Sequence, residues 1–364
     1  MMNIKMSLIL GFLLFTFLGG QAQPASLILT EDELSNLEAA LERDTNLVQL
    51  IDYFGEDPVK LYEHHKMAVH RSDSIWQHDQ HTLTHFDDVG VTEHLEILPL
   101  IDWFTEDESL KGEAGVAYLI RTDHATILFD LGQNSQNEDP SPLLRNMEKL
   151  GITIEEIDFI VISHNHGDHT GGGKWSRQNT FSFTDHQVEL GEMKVYTPLK
   201  MTYPGLEPIH APKPVMICEG VWTTGVIPGP SFFTDIGEQA LLVNVKDKGI
   251  VAISGCGHQT MEKLVKRAEL LFDVPIYGIL GGFHLPISTG RNIGVIYQYV
   301  VTGHLPWDPL KREDIEDHVK LLKKTGVKIV GISAHDSCDE SIGIFREAYM
   351  DNYRDIIVGR KISL

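Results

Sequence analysis

The run His164-Asn165-His166-Gly167-Asp168-His169 constrains this chain more than any other feature. It follows the apolar, β-branched segment 157–163 and precedes Thr170 and the glycines Gly171, Gly172 and Gly173. Imidazoles and a carboxylate packed so densely are hard to justify structurally, because each buried polar group needs its own hydrogen-bond partner. As metal ligands they make sense. A turn leaving a strand end can point His164 and His166 at one centre while Asp168 and His169 face a neighbouring one. Imidazole nitrogen and carboxylate oxygen suit zinc, manganese or ferrous iron better than a metal that demands thiolates alone.

Composition narrows the classes. The 364 residues include 52 acidic and 30 basic side chains, a formal charge of −22, and 42% of them are hydrophobic. That allows a sizeable core in one or two domains and excludes wholesale disorder. The negative charge repels phosphate backbones, so the expected partner is a small-molecule substrate and not nucleic acid. With 3 cysteines there is no disulfide framework.

Residues 1–22 read as a signal peptide, with Lys5, an apolar run from Met6 to Gly20, and small residues ending at Ala22. A run of about 15 residues is short for a bilayer span. The expectation is an exported protein, periplasmic or secreted, with no stable membrane anchor after cleavage. Residues 23–90 read as a helical N-terminal extension. Thr30 and Glu33 have capping-box spacing, Leu34, Leu37 and Leu41 repeat at helical intervals, and Gly55 and Pro58 interrupt the pattern. His64, His65, His70, His78, His81, His85 and His94 lack ligand spacing and are read as surface or packing residues.

Over residues 91–364 strands alternate with helices, an α/β pattern. Strands are expected over 95–102, 157–163, 276–280 and 327–333, with hairpins over 117–130 and 238–254. Helices are expected over 141–150, 261–272, 313–324 and near 341–349, and residues 171–214 read as irregular.

At its histidine run the chain resembles the metallo-β-lactamase superfamily, whose motif H-x-H-x-D-H follows a β-strand. The resemblance runs from about Leu95 to Leu364. It is closer to the branch of metal-dependent hydrolases that includes the archaeal dihydropterin-type methanopterin-precursor proteins. It is also carried by Leu128-Phe129-Asp130-Leu131-Gly132, Asn146 to Gly151, Ser254-Gly255-Cys256-Gly257-His258, Gly281-Gly282-Phe283-His284, and His335. It implies an αβ/βα sandwich, two mixed sheets face to face with helices outside, and metals at one edge between the sheets. It implies His164, His166 and His258 on a first metal, Asp168, His169 and His335 on a second, and Asp130 supporting the metal loops from behind. Asp168 would also orient the nucleophile, and His284 would contact substrate or donate a proton, which makes both catalytic.

Cys256 stands where many members carry a metal-bridging aspartate. It is read as a small packing residue beneath the site in preference to a thiolate ligand. Cys218 and Cys338 are assigned no role. The chain departs from the branch at Ala114, where a histidine is common, and at Asp336, where a cysteine is common. The connection 285–311, with Tyr297, Tyr299 and Trp307, is expanded and expected to wall the pocket together with residues 171–214.

The implied activity is that of a hydrolase with two Zn2+ per chain, Mn2+ or Fe2+ being alternatives. Paired cations acidify a shared water, and the hydroxide attacks an ester, lactone, amide or phosphoester. Two other readings stay open: an iron-dependent oxidoreductase on the same fold, and a non-catalytic metal-dependent ligand-binding protein. Fold and motif do not fix a substrate.

Overall fold

Strands covered on both faces must be apolar at nearly every position, and the short apolar runs after Leu95 have that character. A computed structural model describes residues 29–364 apart from 56, 231–234, 292–293, 295–303 and 306–307. The expected signal segment 1–22, and Tyr297, Tyr299 and Trp307, lie outside the described residues. Three helices come first, α1 (Glu31–Arg43), α2 (Thr45–Phe54) and α3 (Pro58–Thr82). Then follow β1 (Leu95–Ile101), β2 (Ala117–Thr122), β3 (Thr126–Phe129), α4 (Pro142–Lys149), β4 (Phe159–Val161), the single turn α5 (Gly173–Ser176), β5 (Lys194–Thr197) and β6 (Ile209–His210). Next are β7 (Val215–Cys218), β8 (Val221–Thr223), β9 (Ile227–Pro230), β10 (Asp235–Glu238), β11 (Leu241–Val245) and β12 (Gly249–Ser254). The chain ends with α6 (Met261–Leu271), β13 (Ile276–Gly281), α7 (Arg312–Lys324), β14 (Ile329–Ile332), α8 (Asp339–Tyr349) and β15 (Ile362–Ser363).

One mixed sheet has the order β15-β1-β2-β3-β4-β5-β6, the other β14-β13-β12-β11-β8-β7, and β9 pairs with β10 alone. Side chains alternate across each strand. Leu95, Ile97, Tyr118, Ile127 and Val161 of the first sheet meet Leu241, Val243, Val251, Ile253 and Leu280 of the second. Their neighbours Leu98, Leu100, Leu119 and Ile160 turn outward beneath Leu143 and Met147 of α4. On the second sheet Leu242, Ala252 and Ile279 turn outward beneath Leu264, Leu271, Ile315, Leu322 and Phe345. Helices therefore cover both outer faces, which is the αβ/βα sandwich expected.

The extension is helical, with the expected signals in place. Thr30 and Glu33 form a capping box at α1, Gly55 (φ 65°) ends α2 in the left-handed conformation, and Pro58 opens α3 behind the cap Asp57. The α3 helix lies on the β9–β10 hairpin and on α6. Trp76 joins the core of the second sheet. The Arg267 guanidinium, 1% exposed, donates to Asp79 Oδ2 at 2.9 Å and to the Thr224 carbonyl at 2.9 Å. Asp79→Ala leaves that cation to carbonyls alone and is expected to cost about 2 kcal/mol. A urea midpoint that falls with unchanged m-value checks this; an unmoved midpoint would show that the ion pair contributes nothing.

Candidate metal centre

The strands β1, β3 and β4 run in one direction in their sheet, as do β12, β13 and β14 in theirs. Every residue of interest leaves the carboxyl end of one of these strands, where loops of an α/β sheet are available for ligands. Asp102 follows β1, Asp130 follows β3, His164 follows β4, Cys256 and His258 follow β12, His284 follows β13, and His335 follows β14. Close approach there demands glycine. A Cβ on Gly282 would stand 2.2 Å from the Gly255 carbonyl oxygen and 2.5 Å from His335 Cε1. Asp130 (φ 63°) and His284 (φ 48°) are held in the left-handed region without being glycine. Such strain persists where surrounding contacts over-determine the backbone, as at functional sites.

These loops bring His164, His166 and His258 together, one ring atom of each within 4.8 Å of the others. Beside them stand Asp168, His169, Cys256 and His335 at the same spacing. Cys256, His258 and His284 form a third such group. All the residues expected as ligands thus converge on one edge, and His284 is with them. The chemistry fits a metal. His164 Nε2 and both ring nitrogens of His258 are buried without a hydrogen-bond partner, a costly state for any polar atom that has no ligand to meet. Burial and neighbouring imidazoles hold His164 and His258 well below the usual histidine range and His166 down to about 4. Each therefore keeps a neutral ring with a lone pair to offer. Across the cluster burial is outweighed. Cys256 and Asp168 hold His169 well above its ordinary range, and Asp336 and Cys256 bring His335 to about 9.

The position of Cys256 corrects its reading as a packing residue. Its sulfur lies among the ligand atoms, 2.9 Å from His169 Nε2 and 3.2 Å from His335 Nε2, and not beneath them. Burial alone would raise the thiol, but the imidazoles of His169, His284 and His335 draw it below its ordinary range. The loop is turned inward by Glu238, a residue that sequence reasoning missed. Glu238 Oε1 accepts from the backbone N–H groups of Gly255, Cys256 and Gly257 at 2.9 to 3.1 Å, and Oε2 from His258 N–H at 2.8 Å.

Two buried carboxylates orient the imidazoles from behind. Asp130 Oδ2 accepts from Ser163 Oγ at 2.6 Å and from His169 Nδ1 at 2.7 Å. Ser163 Oγ in turn accepts from His164 Nδ1 at 2.9 Å. Asp102 repeats the device from the end of β1. Its Oδ2 accepts from Tyr118 OH at 2.7 Å and Ser333 Oγ at 2.6 Å, and Ser333 Oγ stands 2.6 Å from His335 Nδ1. In each case the far nitrogen is engaged and Nε2 faces the cluster, as metal-binding histidines require. Ser333→Ala is expected to weaken metal binding by about 10- to 100-fold. Competition with a chelator reads that loss, and wild-type affinity would remove Ser333 from the orienting chain.

Asp336, the departure noted above, packs on His284. Its Oδ2 accepts from His284 N–H at 2.8 Å and lies 3.2 Å from Nδ1, which also reaches the Cys256 carbonyl at 2.8 Å. His258 and His284 border a cleft of about 310 Å³ with apolar walls of Met261, Phe283, Leu285 and Leu310, and polar groups from Glu262, His304, Asp314 and His318. The connection 285–311 therefore contributes Leu285, His304 and Leu310. None of residues 171–214 lines this cleft. Phe181, Phe183 and Tyr203 anchor that segment on the outer face of the first sheet instead. Among the described residues, none of the histidines from His64 to His94 joins a ligand group.

The comparisons with known proteins agree with this arrangement. Residues 110–261, which include the histidine run, Cys256 and His258, match the model of the Metallo-beta-lactamase superfamily. The 7,8-dihydropterin-6-methyl-4-(beta-D-ribofuranosyl)-aminobenzene-5'-phosphate synthase of Methanocaldococcus jannaschii is 23% identical over 318 residues, covering 76% of this chain and 98% of that protein. An uncharacterized protein of the same archaeon is 28% identical over 216 residues, 51% of this chain and 78% of its own length. Among solved structures, the crystal structure of Tm1679, a metal-dependent hydrolase of the beta-lactamase superfamily, superposes with a TM-score of 0.49 at 20% identity, covering 74% of this chain and 98% of that one. The matched region, which holds the histidine run and the Cys256–His258 loop, is similar to the Metallo-beta-lactamase superfamily.

Proposed function

We propose that the protein is a dinuclear metal-dependent hydrolase of a small-molecule ester, lactone, amide or phosphoester. The observation that carries this reading is the pair of adjoining ligand groups, with orphaned imidazole nitrogens, opening on a cleft. His164, His166 and His258 would hold one ion, and Asp168, His169 and His335 the other, with Zn2+ favoured and Mn2+ or Fe2+ alternatives. Bound there, paired cations supply an acidified water and positive charge for a developing oxyanion. The chain supplies the rest. Asp168 sits within the second group with its carboxylate held below the ordinary range against burial by His169, so it stays an acceptor that can orient a water. His284 borders the cleft and is braced by Asp336 and the Cys256 carbonyl, which suits it to hold substrate or pass a proton. The apolar walls exclude water from a bound substrate.

The test is a panel of esters, lactones, amides and phosphoesters on zinc-, manganese- and iron-loaded protein, with His258→Ala and His335→Ala as controls. Turnover of one class that vanishes on chelation and returns with metal is expected. Binding of a compound without turnover would replace this reading with a ligand-binding protein, and oxygen consumption by the iron form would replace it with an oxidoreductase. The synthase among the relatives favours group transfer as the second reading, which product formation dependent on an added acceptor would reveal. Residues 1–22 carry the further proposal of export, tested by whether the mature protein, by intact mass, begins at Gln23.

A further inference from the structure

We infer that the cleft beside the metal centre selects a substrate carrying a positive charge, an ammonium group set away from the bond that is cleaved; this rests on reading the site as a hydrolase of small molecules. Much of the cleft's polar lining comes from two helices. Glu262 stands in the first turn of α6, and Asp314, Asp317 and His318 share one face of α7. Among the described residues the lining includes these three carboxylates and no lysine or arginine. Residues 292–310 contain neither.

Nearby cations are engaged elsewhere. Lys263 Nζ reaches the Pro228 carbonyl at 3.1 Å, Arg291 Nε reaches Asp339 at 2.7 Å, and Arg312 Nε reaches Glu316 at 3.1 Å. Two of the lining carboxylates have partners: Glu262 Oε1 lies 2.7 Å from His318 Nδ1, and Asp317 Oδ1 lies 2.7 Å from Lys320 Nζ. Even with both pairs counted as neutral, Asp314 remains. It accepts from the Lys311 N–H at 2.7 Å, and the Lys311 ammonium is turned to Asp308. His304 is held below its ordinary range by burial and so adds a neutral ring. A carboxylate or phosphate in this part of the cleft meets like charge, whereas an ammonium meets opposite charge. That a ligand enters here has separate support. His258, 5% exposed, lines the cleft with both ring nitrogens unpartnered, and an ion can take only one of them.

Three matched carboxylates test this on the zinc-loaded full-length protein without any turnover. 6-Aminohexanoate, heptanoate and pimelate share one methylene chain and one carboxylate for the ions, and end in an ammonium, a methyl and a second carboxylate. By titration calorimetry 6-aminohexanoate is expected to bind about 5-fold tighter than heptanoate, with pimelate weakest, as modest part-exposed pairings allow. The hydrophobic effect favours the methyl, so a preference for the ammonium comes from charge. Added salt should narrow the gap. Asp314→Asn and Glu262→Gln should each narrow it too, with circular dichroism unchanged. Equal affinities for 6-aminohexanoate and heptanoate, tightest binding of pimelate, binding of none of the three, or a preference that both variants retain overturns the proposal. The order is read on binding alone, so a substrate panel without turnover would remove the hydrolase reading and leave the charge preference standing.

Discussion

His166→Ala and Asp168→Ala are each expected to reduce bound metal from two ions to one or none and to lower kcat/KM by about 10³-fold or more, some 4 kcal/mol of transition-state stabilisation. The two losses differ in kind. His166 is one of three imidazoles in its group, and its ring is kept neutral near pH 7 by burial, so its deletion leaves two nitrogens to hold an ion. Asp168 is the carboxylate of the other group. Without it that position keeps Cys256, His169 and His335 and loses its one carboxylate. Metal analysis and steady-state kinetics on the responsive substrate check both, with circular dichroism to show that the fold is intact. A metal-free variant with wild-type turnover would end the hydrolase proposal. Retention of two ions with lost turnover would assign Asp168 to the reaction rather than to the ions.

Much of the architecture is legible in the sequence because local rules and burial agree. The run His164 to His169 marks one strand end by chemistry alone, and a Cβ on Gly282 before His284 would meet the Gly255 carbonyl oxygen at 2.2 Å. Helix limits follow caps, as at Thr30, Ser141 and Gly55. The supporting groups are not legible, because their partners come from other strands. Ser333 and Asp102 are 231 positions apart, and only the face-to-face stacking of the sheets makes them neighbours. Cys256 misled for a related reason. A lone cysteine after a strand says nothing about which way its loop turns, and the turn is set by Glu238 from a separate hairpin. Residues 171–214 look like pocket material because they are irregular, yet their aromatics are spent on the outer core. The many histidines of α3 carry no ligand spacing, and the structure brings none of them into a ligand group.

Glu238→Ala is expected to destabilise the protein by at least about 3 kcal/mol and to strip metal from the Cys256–His258 loop. The carboxylate is fully buried and accepts from consecutive backbone N–H groups of Gly255 to His258, with Ser254 Oγ a further 3.2 Å contact. Burial pushes its pKa above the ordinary carboxylate range, while those N–H groups pull toward the charged form. Alanine leaves the donors buried and unpaired at about 1–3 kcal/mol each before any water enters the hole. Glu238→Gln separates anchoring from mere volume. Its carbonyl oxygen can still accept from Gly255, Cys256 and Gly257, but its amide group then faces the His258 N–H, donor against donor. The glutamine variant should therefore lose about 1–3 kcal/mol and hold metal more weakly at the His258 side. Urea midpoints and chelator competition read the two effects separately. Asp79→Ala supplies the contrast, since Arg267 belongs to α6, bonds Asp79 and the Thr224 carbonyl, and touches no ligand: it should lower the midpoint and leave metal affinity unchanged. If Glu238→Gln behaved in the same way, Glu238 would be a stability residue of the β9–β10 hairpin and not the anchor of the metal loop.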